Sequence, residues 1–418
     1  MHLMKDVNVH IENKRVSRAF FIFLWFLYAL VCMTKNGFSG ALNAITKEGT
    51  FTTFQTTFIT ASFYIVYTPL QFVGGLLADK ISPAKLILIS LVGSCIPNVV
   101  IFFNQNYYVM LFSWIFSAAV QFALWPALFK LFSSQLYPND RSRMVLFMSF
   151  ASSGGFVFSY LTAALVPHWR YNFAVAAVIL FILAIALYFA TRKVDHSLVS
   201  DAPAVVDVDH EKSPSVGRML LLFLSSGFIF CLLGSFLRYA VENCSKTLST
   251  KMLSDIFKTE GELLTILIVL FGVLGTLIVR FLLFPRLFKN EFTCTLVLLL
   301  CALPFTVVLR FVEVIPLPLC MISLCMLALL LTGTSFLAST FAARFVKYRL
   351  NGTAAGILNS SYSLALVFQY TVFGKIADLS GGWSIITTMW IVLIAVAALL
   401  IALAIRPSIR FKRKINDL

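Results

Sequence analysis

Long apolar stretches recur from one end of the chain to the other, with short polar segments between them. A helix needs roughly 20 residues to cross a hydrocarbon core about 30 Å thick. Twelve stretches are long enough, so we predict an all-α membrane protein with twelve transmembrane helices. The predicted spans are 19–45, 52–78, 84–104, 108–135, 143–166, 171–191, 218–246, 262–284, 292–311, 315–343, 352–376 and 383–405.

One sustained polar segment separates the first six predicted spans from the last six. Residues 194–216 are rich in Asp, Ser and Pro and poor in aromatic side chains. Such a composition is typical of a linker that joins two membrane halves. We therefore predict an N-terminal six-helix bundle at 1–193, a cytoplasmic linker at 194–216 and a C-terminal six-helix bundle at 217–418.

The positions of the basic residues predict the orientation, because Lys and Arg in short loops stay on the cytoplasmic side. If the N-terminus is inside, 22 of the 33 Lys and Arg residues fall in inward segments and 7 in outward segments. We expect a multi-pass protein of the cytoplasmic (inner) membrane with both termini in the cytoplasm. The net charge of +15 then reflects topology, and no nucleic-acid partner is expected.

The composition excludes several classes of protein. At 60% hydrophobic and 12% charged, the chain differs from soluble domains, which are about 45–50% apolar and about 25% charged. The eight cysteines stand singly without metal-ligand spacing, and no Walker, HExxH or GxSxG motif is present. We predict no metal site, no cofactor, no enzymatic activity and no direct use of ATP.

Two charged residues fall well inside predicted spans, where insertion scales put the cost at about 2.5–3.5 kcal/mol. Lys35 is in the first span and Arg238 is in the seventh, which are equivalent spans in a repeat of six plus six. We interpret them as an anion-binding pair across a central cavity, since a guanidinium suits phosphate or carboxylate. The alternative is structural neutralisation, because Glu242 follows Arg238 by four residues.

Neutral polar and aromatic residues inside the spans are candidates to complete such a cavity. Each of them also fits a second interpretation, in which it only connects membrane helices. The candidates are Asn36, Tyr64, Tyr67, Gln121, Trp125, Ser152, Tyr239, Asn359, Tyr362 and Gln369.

A short motif follows the second span: Gly75-Leu76-Leu77-Ala78-Asp79-Lys80. It resembles the G-x-x-x-D-[R/K] signature of the major facilitator superfamily. Physically, the glycine lets helices approach closely, and the acid can cap a helix end and pair with a basic partner. We predict a gating role for Gly75, Asp79 and Lys80. In the second half, Gly272 and Gly275 precede Arg286 without an acid.

Three further patches resemble the organophosphate:anion antiporter branch of that superfamily: Lys35-Asn36, the segment 236–239 and the segment 352–356. The resemblance implies that Arg238 helps to hold a substrate phosphate and that the protein is a monomer. The family's first-span arginine falls on Thr34, and its fifth-span histidine falls on Ser152. Both departures weaken the case for a phosphate ester. A set of sugar-phosphate-permease-like proteins shares the Trp-Pro and following Lys of 125–130.

The predicted function is secondary transport of a small anionic organic solute, organophosphate or carboxylate-like, by alternating access in the lipid bilayer. Glu242 is the candidate coupling residue. A cation one turn away favours its ionised form, so exchange or uniport is favoured over proton symport. Two alternatives remain: a solute-binding membrane sensor without net transport, and a transporter of a neutral or drug-like solute.

Overall fold

The structure, a computed structural model, separates into two compact units, Met1–Val208 and Asp209–Leu418. Apart from one short two-stranded ladder, both units are helical throughout the part of the chain that is described. The structure describes residues 9–132, 136–137, 140, 144, 147–148, 150–195, 198–200, 216–284, 286–348, 350–379 and 381–416.

Unit 1 holds eight described helices and the two strands of the ladder. They are β1 (Val9–Ile11), α1 (Lys14–Lys35), α2 (Gly37–Lys47), α3 (Thr53–Lys80), α4 (Pro83–Phe103), α5 (Tyr107–Gln121), α6 (Leu124–Lys130), α7 (Ala151–Leu165), α8 (Arg170–Asp195) and β2 (Leu198–Ser200).

Unit 2 holds ten described α-helices, some of which continue into π or 3-10 turns. They are α9 (Val216–Ser225), α10 (Phe228–Thr247), α11 (Ser249–Phe257), α12 (Gly261–Ile278) with a π turn (Val279–Leu283), α13 (Glu291–Leu309), α14 (Leu317–Gly333), α15 (Phe336–Ala342) with a 3-10 turn (Ala343–Tyr348), α16 (Asn351–Phe368) with a π turn (Gln369–Phe373), α17 (Gly374–Ala377) and α18 (Gly382–Asn416).

Every predicted span coincides with a helix, or with a pair of consecutive helices, in the described residues. Within those residues, eight segments are long and apolar enough to cross a membrane, or nine if the bent pair α9 and α10 is one span. The other three predicted spans coincide with α3, α7 and α16.

Within the described residues, the first, fourth, seventh and tenth predicted spans are broken, although the hydropathy pattern predicts them as continuous. The first breaks at Asn36, between α1 and α2, and the fourth breaks between α5 and α6 just before Pro126. Proline lacks the N–H that would bond to the preceding turn, and its ring clashes with that turn. The seventh bends by 68° at Gly227, whose φ of +80° favours glycine. The tenth breaks between α14 and α15.

The pairing of helices in unit 1 recurs in unit 2. In unit 1, α1 packs on α7, α4 on α8, and α3 on α5. The equivalent spans of unit 2 pair in the same way, with α10 on α16, α13 on α18, and α12 on α14. An internal repeat is therefore present in the packing, although the two halves share few residues in sequence.

Glycines bring two of these helix pairs into close contact. A Cβ added at Gly155 of α7 would lie 2.4 Å from the Cys32 Cβ of α1, and one at Gly275 of α12 would lie 1.9 Å from the Leu329 carbonyl oxygen of α14. Small residues at such positions let helix backbones approach each other in a membrane. Both α1 and α14 carry residues of the candidate site, so this packing fixes their positions.

The predicted linker, 194–216, is described only near its two ends, since 196–197 and 201–215 lie outside the described residues. Residues 198–200 pair as an antiparallel strand with residues 9–11, so that Val9 lies opposite Ser200. The prediction of an entirely helical chain did not include this ladder. It connects the segment before α1 to the segment after α8, at the same end of unit 1.

Candidate functional site

Three charged side chains lie along one face of α10 in unit 2. Arg238, Glu242 and Lys246 are spaced four residues apart, and an α-helix places such residues one above another. Their side chains are only 4%, 6% and 8% exposed, respectively. The predicted seventh-span cation is therefore buried, together with an acid and a second cation.

Glu242 is bonded to both cations. Arg238 Nη1 donates to Glu242 Oε2, and Lys246 Nζ donates to Glu242 Oε1 at 2.7 Å. The Thr332 hydroxyl of α14 donates to the same Oε1 at 3.0 Å and accepts from Lys246 Nζ at 2.7 Å. Arg238 Nη1 also donates to the Leu331 carbonyl at 2.9 Å. The carboxylate is thus held by three donors from two helices.

Two tyrosines flank the guanidinium. The rings of Tyr239 on α10 and Tyr362 on α16 stack with centroids 4.7 Å apart, and Arg238 Cζ lies 5.6 Å from each centroid. An arginine near aromatic faces gains a cation–π attraction and has its orientation fixed. The structure therefore brings four of the predicted site residues together, namely Arg238, Tyr239, Glu242 and Tyr362.

A neutral polar cluster lies next to these residues, between α10 and the π turn that follows α16. Gln369 Nε2 donates to Asn243 Oδ1 at 3.1 Å and lies 3.4 Å from Thr247 Oγ1. Gln369 is fully buried. Single π turns inside helices are frequent at functional sites, and Gln369 is the first residue of this one.

In unit 1, the predicted first-span cation has a different environment. Lys35 is the last residue of α1 and is 8% exposed. Its ammonium lies 4.6 Å from the centroid of the Tyr67 ring and 5.8 Å from that of Phe63, both on α3. Among the described residues, Lys35 forms no ion pair with an acid. The aromatic faces of α3 are therefore its main described stabilising contact.

Asn36 marks the break between α1 and α2. Its side-chain amide donates to the Cys32 carbonyl at 2.9 Å, and its own carbonyl accepts from the Ser159 hydroxyl at 3.0 Å. These bonds satisfy the backbone groups that a helix break exposes. The position of Asn36 next to Lys35 agrees with the prediction, but its amide donor is directed to its own helix.

The remaining predicted binding residues are spread over both units. Tyr64 is half-buried on α3 with its ring 5.3 Å from Phe63, and Trp125 packs on Tyr28 at 4.8 Å. Ser152 lies half-buried at the start of α7, and Asn359 is exposed on α16.

The predicted gate residues Gly75, Asp79 and Lys80 lie in the last turns of α3. Their side chains are outside the described part of the chain. Their gating role therefore stays a prediction.

Lys246 and Thr332 are the residues that sequence reasoning missed. Lys246 is the last residue of the predicted seventh span, 218–246, and is one of the seven basic residues counted in outward segments. The structure extends α10 to Thr247, so Lys246 lies inside the helix. Its spacing of four residues from Glu242 was a usable signal. The contact of Glu242 with Thr332, 90 residues away, has no counterpart in the sequence pattern.

Solved transporter structures match this fold over nearly the whole chain. A bacterial homolog of the human lysosomal transporter Spinster matches in its inward-facing unoccupied form with a TM-score of 0.79 at 15% identity, covering 96% of this chain and 99% of that one. The D-xylose-proton symporter matches with a TM-score of 0.70 at 13% identity, covering 93% and 97%. At such low identity, these similarities establish the fold alone.

Two curated relatives match a part of the chain. The membrane sensor protein UhpC of Salmonella typhimurium is 24% identical over 197 residues, or 46% of this chain and 44% of that protein. UhpC of Escherichia coli is 24% identical over 191 residues, or 45% and 43%. The chain thus aligns with less than half the length of each.

Twelve helical spans in two six-helix bundles, with a buried cation in the first span of each bundle, define a polytopic membrane protein of transporter fold. The sequence profile of the Major Facilitator Superfamily matches residues 24–370. The chain belongs to that superfamily. The predicted fold class and the resemblance that Gly75 to Lys80 suggested are both confirmed.

Proposed function

We propose that this protein is a secondary transporter, without enzymatic activity, that moves a small anionic organic solute of organophosphate or carboxylate type by alternating access. The observation that carries the proposal is the buried guanidinium of Arg238. It lies in a membrane helix of a superfamily member and shares the carboxylate of Glu242 with Lys246. Intramembrane charges are costly, so they mark solute and ion pathways by default.

The second supporting observation is the buried ammonium of Lys35 in the equivalent span of unit 1. It has aromatic rather than acidic contacts among the described residues, so its charge is available to an anion. We assign anion binding to Lys35 and Arg238. Asn36, Tyr64, Trp125, Ser152, Tyr239, Asn359 and Tyr362 are assigned to the lining of the pathway.

The contacts of Glu242 support exchange or uniport over proton symport. The carboxylate is already paired with two cations and a hydroxyl, and neutralising it would leave two buried cations without their acid. Gly75, Asp79 and Lys80 are assigned to a gate. The proposal places the protein in the cytoplasmic membrane as a monomer, with both termini and the 194–216 linker inside.

A second candidate function is favoured by one comparison. The curated relatives that match part of this chain carry the description "membrane sensor protein". A sensor of the same fold would bind the solute and signal through a partner without net flux. Binding alone therefore does not separate the two functions.

The experiment has two steps. Purified protein is first screened by thermal shift against sugar phosphates, carboxylates and neutral sugars. We expect stabilisation by an anion in the wild type and none in Arg238→Ala, because bound ligand raises the melting temperature through mass action. Uptake of that anion into proteoliposomes is then measured. Uptake by the wild type supports transport, whereas binding without uptake supports the sensor. Stabilisation by neutral sugars alone would overturn the anion assignment.

A further inference from the structure

The carboxylate of Glu242 is held unequally at its two oxygens. Oε1 accepts from Lys246 Nζ at 2.7 Å and from Thr332 Oγ1 at 3.0 Å, while the bond at Oε2 comes from Arg238. Lys246 and Thr332 are also bonded to each other at 2.7 Å. The three groups form a closed triangle of hydrogen bonds on the side of Glu242 away from Arg238.

We propose that Glu242 is a resident anion that occupies Arg238 in the empty protein, and that Lys246 and Thr332 hold this carboxylate when the anionic group of the solute displaces it. This inference rests on the proposed function. Lys246 is then a positioning residue. It acts on solute affinity through Glu242, without touching the solute.

The energetic reason is the cost of leaving a buried charge alone. If one partner of a buried ion pair is removed, the remaining charge is left without compensation and is strongly destabilised. A solute anion that takes the guanidinium from Glu242 would impose that cost on the carboxylate. With Lys246 and Thr332 on Oε1, the carboxylate keeps a cation and a hydroxyl after the exchange.

The proposal predicts that the effect of removing the Lys246 cation depends on Glu242. In Lys246→Met, Glu242 keeps Arg238 as its one ionic partner among the described residues, so the carboxylate competes with the solute more strongly. In Glu242→Gln/Lys246→Met, the competitor is gone. The double variant should therefore regain the affinity that Lys246→Met loses.

Binding is measured by calorimetry on detergent-purified, full-length protein, with glucose 6-phosphate, inorganic phosphate and succinate as probes. For the probe that binds the wild type most tightly, we expect Lys246→Met to raise the Kd at least about tenfold, which corresponds to about 1.4 kcal/mol. The double variant should bind at least as tightly as the wild type. Lys246→Arg, which keeps the cation, should stay within about threefold of the wild type.

Thr332→Val separates this mechanism from a general effect of charge. The substitution leaves every charge in place and removes the hydroxyl that donates to Glu242 Oε1. We expect a rise in Kd of about threefold to tenfold, within the range for the net contribution of one ordinary hydrogen bond. An unchanged Kd in Thr332→Val, with a rise in Lys246→Met, would overturn the proposal in favour of a long-range field.

The matched control is Lys251→Met. Lys251 forms the same kind of pair on the next helix, with Asp255 four residues later at 3.0 Å, outside the cluster. Its loss should leave the Kd unchanged. The melting temperature of each variant reports folding. A destabilised but folded Lys246→Met with wild-type affinity would overturn the proposal and leave a structural role.

The two proposals fail in different ways. If neither the wild type nor Glu242→Gln binds any of the anions, the proposed function is overturned, and the resident-anion mechanism with it. Suppose that the wild type binds an anion through Arg238 and that Lys246→Met binds it as tightly as Glu242→Gln/Lys246→Met does. Only the resident-anion mechanism then fails.

Discussion

Arg238 and Lys35, the buried cations of two equivalent spans, are stabilised in opposite ways. In unit 2, Arg238 shares an acid with Lys246, and its neighbours are hydrogen-bonding groups as well as rings. In unit 1, Lys35 lies over the rings of Tyr67 and Phe63 without an acid among the described residues. The helix pairs that carry them are equivalent, yet the means of stabilising the charge is different.

The difference implies unequal costs of binding an anion. Under the proposed function, an anion at Arg238 would have to replace a carboxylate that is already bound, whereas at Lys35 it would add to a cation–π contact. Arg238 should therefore determine whether an anion binds, since a fixed guanidinium recognises it with directed bonds. Lys35 should mainly contribute electrostatic attraction to the anion.

The largest effect is expected from Arg238→Ala. It removes the guanidinium and leaves Glu242 with Lys246, so we expect uptake and binding of the anion to fall below detection. Arg238→Lys should retain a part of the binding, because the charge stays but the planar fork is lost. Uptake into proteoliposomes is the measurement. Wild-type uptake in both variants would remove Arg238 from the site.

A smaller loss is expected from Lys35→Met. The variant keeps most of the volume over Tyr67 and removes the charge, so we expect the Kd for the anion to rise about tenfold, or about 1.4 kcal/mol. Lys47→Met is the matched control, because Lys47 is an exposed lysine at the end of the following helix. Equal affinity in Lys35→Met and the control would show that only unit 2 contributes a cation.

Adding a methyl group at the close helix contacts near each cation should lower the stability of the protein. Gly155→Ala should displace α7 from α1, and Gly275→Ala should displace α12 from α14, each at a cost of about 1–3 kcal/mol. Gly356→Ala is the control, since nothing lies within 4 Å of its added Cβ. Melting temperature is measured. Equal values for all three would show that these contacts relax without cost.

The smallest effect is expected at the ring below Lys35. Tyr67→Leu removes the π face and should reduce stability by about 0.5–2 kcal/mol, while Tyr67→Phe keeps the face and should change little. Thermal unfolding of the two variants is compared. A larger loss in Tyr67→Phe than in Tyr67→Leu would assign the contact to the hydroxyl instead of the ring.

Much of the fold can be predicted from the sequence, because the length of an apolar run indicates whether it forms a membrane-spanning helix. The same reasoning found Lys35, Arg238 and Glu242, since charges inside such runs are conspicuous and a spacing of four residues predicts a pair. It did not find the break at Asn36, where capping bonds replace helix bonds without interrupting the apolar run. Hydropathy is insensitive to a single turn of this kind.

The rest of the site depends on tertiary contacts that local patterns do not encode. Thr332 and the Leu331 carbonyl reach α10 from a helix about 90 residues further along the chain. The tyrosine pair that flanks Arg238 similarly joins α10 to α16. These contacts depend on which helices pack together, and sequence periodicity predicts only that a helix has a buried face.

The most direct test of the account is an experimental structure of the protein with its bound anion. We predict that the anionic group of the solute lies within hydrogen-bonding distance of the Arg238 guanidinium, with the Glu242 carboxylate on Lys246 and Thr332. A bound solute that makes no contact with Arg238, while the Arg238–Glu242 pair stays intact, would contradict the account.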